Sequence, residues 1–123
     1  MVHTILIVDD SAVIRGLLRS TIEQNSDWKV CGEAENGEVA IQRVKQLHPD
    51  VVILDLQMPV MNGLEAARQI TAVAPKTAMV MFTMHNSEQL LKDAHAAGIK
   101  DVISKTNAPA AQLLTSLKLM SKN

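Results

Sequence analysis

A single cysteine, Cys31, leaves no partner for an internal disulfide, which fits a reducing, cytoplasmic setting. No apolar run is longer than five residues, far short of the roughly 20 that a membrane-spanning helix needs. The first residues show no basic stretch followed by an apolar one, so no secretory leader is expected. An excess of charge of one sign is also missing: 12 lysines and arginines face 13 aspartates and glutamates, a net charge of −1. Gripping nucleic acid or anionic lipid takes a basic surface, so neither nucleic acid nor membrane is an expected partner. There is no internal repeat, low-complexity tract or linker, and 123 residues suit one domain over 1–123 with no output domain attached. Tyrosine is absent.

What is present is a hydrophobic fraction of 47% and a charged fraction of 20%, ordinary for a globular protein. Two hydrophobic periods alternate along it. Ile5-Leu6-Ile7-Val8, Val51-Val52-Ile53-Leu54 and Met79-Val80-Met81-Phe82 read as strands buried on both faces. Val30 to Ala34 is a weaker strand of mixed polarity, suited to a sheet edge, and Val102-Ile103 is a short fifth. Between them run helical stripes: Ile14, Leu17, Leu18, Thr21, Ile22; then Ala40, Ile41, Val44, Leu47; then Ala66, Ala67, Ile70, Val73, Ala74; then Leu90, Leu91, Ala94, Ala97; and finally Ala110, Leu113, Leu114, Leu117, Met120. Ser11 suits the cap of the first helix, and Gly98 the stop of the fourth. Strand and helix repeated five times predict an α/β fold, a single doubly wound (βα)5 domain with a parallel sheet and right-handed crossovers.

The polar residues that follow the buried strands carry the chemistry. Asp9-Asp10 follows strand one, Asp55 strand three and Thr83 strand four, while Lys105 lies just past strand five. Ligands of open parallel sheets bind at the carboxyl ends of the strands, where the strand order reverses. With the order 2-1-3-4-5, these residues converge. Taken singly, Asp10 suits a helix cap, and Thr83 or Lys105 an ordinary surface position. Three carboxylates packed together repel, however, and such an arrangement suits a hard cation bound through oxygen, such as Mg²⁺. A lysine and a hydroxyl beside it suit a tetrahedral oxyanion.

At these residues the sequence resembles the receiver domains of bacterial two-component response regulators. The motifs are Ile7-Val8-Asp9-Asp10-Ser11, the stretch from Asp55 to Gly63, Phe82-Thr83 and Ser104-Lys105. Cys31 to Gly37 resembles the branch that precedes helix-turn-helix outputs, and Asp9 to Leu18 the receivers of chemotaxis methylesterases. The resemblance implies a flavodoxin-like fold with Asp55 as phospho-acceptor. It implies Mg²⁺ held by Asp9, Asp10, Asp55 and the backbone carbonyl of Gln57, with Thr83 as switch hydroxyl and Lys105 pairing with the phosphoryl group. The implied partners are a histidine kinase or phosphotransfer protein and a downstream target or output domain. Homodimers formed on phosphorylation, through the helix-four to helix-five face, are common in that family. Such a protein is a signalling domain that catalyses only its own phosphoryl transfer and dephosphorylation.

Three positions depart from the family pattern. Val102 stands where many receivers carry an aromatic that moves with the switch hydroxyl. Thr106 replaces the proline that often follows the lysine, so that peptide bond is expected to be trans or strained. Met84 replaces a small residue and is expected to hinder entry to the site. Four histidines (His3, His48, His85, His95) show no metal spacing, although His85 lies near Thr83. The methionines read as core filling, Cys31 as buried and inert, and Trp28 as remote from the site. The alternative is a pseudo-receiver, a binding module that works without phosphorylation. A phosphohydrolase would need a cap or a second acid, and a flavin protein would need a Ser-, Thr- or Gly-rich loop after strand one, where this chain has two carboxylates.

Overall fold

The computed structural model describes residues 3–84, 87–106 and 109–121. His85 lies outside them. Five strands, β1 (Thr4–Val8), β2 (Lys29–Ala34), β3 (Val51–Leu54), β4 (Ala78–Thr83) and β5 (Asp101–Ser104), form one parallel sheet in the order 2-1-3-4-5. Five helices alternate with them: α1 (Ala12–Asn25), α2 (Gly37–Leu47), α3 (Gly63–Val73), α4 (Glu88–Ala96) and α5 (Pro109–Met120). This is the expected doubly wound (βα)5 architecture. No helix among the described residues is long and apolar enough to cross a membrane.

The central strands are apolar, apart from Thr4 and Thr83 at their ends, because both faces are covered. Leu6, Val8, Val52, Leu54, Met79 and Met81 face α2, α3 and α4. Ile5, Ile7, Val51, Ile53, Val80 and Phe82 face α1 and α5. Alternate residues of one strand thus feed two separate cores, as a period of two requires.

The helix starts follow the sequence. Side-chain oxygens of Ser11, Asn36, Asn62 and Ser87 accept from the backbone N–H three residues on, at 3.2, 2.9, 3.0 and 3.1 Å, and each satisfies one unpaired donor of a first turn. Gly98 ends α4 with φ +98°, packed against Thr71.

The helical stripes are narrower than expected. Leu17 is 64% exposed, while Leu18 and Ile22 fill the core with Ile14 half-buried. Leu47, Val73, Leu91 and Ala110 also face outward. Each lies at the flank of its stripe, although Leu47 still reaches over Gly32 of β2. Conversely Ser116, not part of the expected stripe, is buried on α5.

The β1–β2 pairing is irregular in one place. Ile5 pairs with Val30 and Leu6 with Gly32, so Cys31 has no opposite residue in β1. A bulge of one residue reverses the faces of everything after it. Val30 therefore joins the α1 side, whereas a Cβ on Gly32 would meet Leu47 and Leu6 on the α2 side. Glu33 is turned toward α1 as a result, where Arg15 and Arg19 meet it. Cys31 itself is half-buried, and burial raises its thiol pKa, consistent with an unreactive side chain.

Candidate functional site

The site forms where β1, β3, β4 and β5 end. The backbone N–H of Asp9 donates to Ala34 and that of Asp55 to Val8, both at 3.0 Å, so each aspartate extends the ladder by one step. The backbone N–H of Lys105 donates to the Thr83 carbonyl at 2.9 Å. Hydrogen bonds that continue the sheet thus carry three of the six expected residues to one rim. Asp9, Asp55 and Thr83 are buried, whereas Asp10 and Gln57 are exposed.

The geometry centres on Lys105. Its Nζ lies 3.0 Å from Asp9 Oδ2 and 3.4 Å from Asp55 Oδ2, and 5.7 Å from the centre of the Phe82 ring. One carboxylate oxygen from each of Asp9, Asp10 and Asp55 lies within 4.8 Å of the others. Burial pushes the Asp55 carboxyl above its ordinary range, Lys105 pulls it back, and the Asp9 carboxylate adds to the push. A carboxyl raised despite a lysine at 3.4 Å reflects first its removal from water and then the Asp9 carboxylate beside it. An all-oxygen set of this kind fits a hard divalent cation such as Mg²⁺.

The loop after Asp55 is tightly built. Gly63 N–H donates to the Leu56 carbonyl at 2.7 Å, and a Cβ on Gly63 would collide with the Asp55 carbonyl oxygen. Only glycine lets α3 begin this close to the backbone of Asp55. Val60 has φ +71°, a left-handed conformation that costs a β-branched residue about 1–3 kcal/mol.

The departures also find their places. Val102 is half-buried against the α2–α3–α4 core, where its short side chain offers no large rotamer change. There is no cis peptide bond among the described residues, so Lys105–Thr106 is trans, and the Thr106 hydroxyl pairs with that of Ser104 at 2.8 Å. Met84 is 61% exposed and lines an apolar groove of about 240 Å³ with Lys105, Phe82, Ile14, Leu17 and Pro109. A larger cavity of about 570 Å³ lies at the opposite end of the sheet, lined by His3, Trp28 and Lys118 among others. There Trp28 packs against His3 with ring centres 4.7 Å apart, remote from the acidic cluster.

Two residues that the sequence does not mark also belong here. Arg15 Nη1 donates to the Asp9 backbone carbonyl at 2.6 Å, and its Nε donates to Glu33 at 2.8 Å. Burial alone would raise the Glu33 carboxyl, but hydrogen bonds from Arg15 and Arg19 overcome it and hold that group below its ordinary value. The two partners stand 18 positions apart on different elements, so no local pattern announces the pair.

A flavodoxin-like sheet with an acidic pocket and a lysine at its carboxyl rim defines a class of domain, the phosphorelay receiver. The sequence model of the response regulator receiver domain matches residues 5–118, and the chain belongs to that family. Chemotaxis protein CheY of Thermotoga maritima is 35% identical over 118 residues, which cover 96% of this chain and 97% of that protein. Transcriptional regulatory protein YdfI of Bacillus subtilis is 39% identical over 103 residues, 84% of this chain but only 48% of that protein. The response regulator domain of Thermotoga maritima CheB superposes with a TM-score of 0.91 at 31% identity, covering 100% of this chain and 98% of that one.

Proposed function

We propose that this receiver is an active phospho-acceptor in which Asp55 takes a phosphoryl group from a phosphohistidine on a partner kinase or phosphotransfer protein. The observation that carries the reading is the convergence of Asp9 and Asp55 on Lys105 Nζ at 3.0 and 3.4 Å. One Asp55 oxygen attacks phosphorus in line, the P–N bond breaks, and its electron pair stays on the imidazole nitrogen. The transition state is loose, so positioning and charge neutralisation do most of the catalysis. Lys105 meets the charge on the phosphoryl oxygens. Asp9, Asp10, Asp55 and the backbone carbonyl of Gln57 would hold Mg²⁺, which neutralises further charge on those oxygens.

The acyl phosphate adds about two negative charges and three acceptor oxygens. The Thr83 hydroxyl bonds one of them and draws the end of β4 with it, changing the face that a downstream protein or output domain reads. A homodimer formed on phosphorylation through α4 and α5 is one such readout. An in-line water later hydrolyses the phosphate at the same place. The chain thus acts as one cytoplasmic receiver unit over 1–123 and turns over no separate substrate.

Intact mass after incubation with Mg²⁺ and a small acyl phosphate tests the reading. One phosphoryl adduct is expected on the wild type, dependent on Mg²⁺ and lost in Asp55→Asn. No adduct on either the wild type or Met84→Ala would overturn it, and a binding module independent of phosphorylation would take its place.

A further inference from the structure

Asp9 is held on every side. Its N–H is bound to Ala34 and its Oδ1 accepts from the Ser11 N–H at 2.9 Å. Its Oδ2 meets Lys105 at 3.0 Å, and its carbonyl takes Arg15 Nη1 at 2.6 Å. That carbonyl lies in the rigid peptide plane that joins Asp9 to Asp10. Fixing it fixes the direction in which the chain carries Asp10 away from β1. Arg15 is itself fixed, because its planar fork also bonds Glu33 at 2.8 Å, and the other Glu33 oxygen is taken by Arg19 at 2.9 Å. The Arg15 side chain is only 17% exposed.

We propose that Arg15 is a positioning residue for cation binding. By locking the Asp9–Asp10 peptide plane against the β2 edge, it sets the spacing of the two carboxylates. The inference rests on the reading of the acidic cluster as a divalent-cation site. Its sign separates it from simple electrostatics. A guanidinium beside an acidic site repels an incoming cation, so removing its charge should tighten binding if charge were all that mattered. Positioning demands the opposite. Lysine in its place would keep the charge but lose the planar fork that makes both bonds at once.

The test uses the full chain and Mn²⁺ as probe, with free Mn²⁺ counted by electron paramagnetic resonance and folding followed by thermal melting. Arg15→Met and Arg15→Lys should both weaken Mn²⁺ binding about tenfold, in the range found when groups that orient metal ligands are removed. Arg68→Gln, which removes an arginine paired with Glu65 on the exposed face of α3, should bind as the wild type does. Equal or tighter binding in the Arg15 variants, with the wild type binding normally, overturns the role of Arg15 alone. A wild type that does not bind Mn²⁺ at millimolar concentration overturns the cation site itself and the inference with it. If Arg15→Met does not fold, Arg15→Lys decides by the same criterion.

Discussion

One ammonium stands among three carboxylates at this site, and that imbalance shapes its chemistry before any ligand arrives. Lys105 bonds Asp9 more closely than Asp55, at 3.0 against 3.4 Å, which leaves the Asp55 carboxylate the less committed of the two. A nucleophile must be free to leave its partner, and a metal ligand need not be, so the split matches the proposed roles. For Met84 we propose a different role, in access. The residue is 61% exposed and shares the groove that contains Lys105. Trimming it to alanine should speed adduct formation from a small phosphodonor several-fold and leave melting unchanged. Rapid-quench mass spectrometry checks this, and equal rates would remove Met84 from the account. The positions of Asp9, Asp55, Thr83 and Lys105 were legible in the sequence because each directly follows, or closely follows, a buried run whose end is easily located. Val60 was not, because nothing in a valine announces a φ of +71°.

Between elements, the closest constraint is the approach of α3 to β3. Gly63 sits where any side chain would collide with the Asp55 carbonyl, so Gly63→Ala must push α3 away from the strand that carries Asp55. A loss of about 2–3 kcal/mol is expected from such overpacking, together with slower adduct formation. Gly16, in α1, has nothing within 4 Å of an added Cβ. Gly16→Ala should stabilise the protein by about 0.5–1 kcal/mol, since glycine within a helix costs that much relative to alanine. Urea denaturation of the two variants should therefore move in opposite directions. The order of elements was readable from alternating hydrophobic periods, and so were the cap at Ser11 and the stop at Gly98. The width of each buried stripe was not. Periodicity shows which way a helix faces, but the breadth of the neighbouring surface decides whether Leu17 or Val73 is covered. Neither could the Arg15–Glu33 pair be found, since it joins α1 to β2 through space alone.

For the domain as a unit, the raised Asp55 carboxyl links stability to pH. Its folded pKa exceeds the ordinary 3.8, so the folded state holds that proton more firmly than the unfolded chain does. The favourable contribution is complete below the ordinary value and is lost as pH climbs through the raised one. At neutral pH the ionised group therefore works against folding. Asp55→Asn should raise the melting temperature at pH 7 in the presence of a chelator. The gain should shrink on acidification and on adding Mg²⁺. A lower melting temperature for Asp55→Asn at pH 7 would contradict the assignment. The unpaired Cys31 in β2 bears on heredity as much as on mechanics. Substitution there changes little beyond a half-buried contact, and deletion of that single codon would straighten the ladder while leaving Glu33 opposite Ile7 on the α1 side. Lineages that carry this receiver should thus vary at position 31, in the letter and even in its presence, more readily than at Glu33, which holds Arg15 and Arg19.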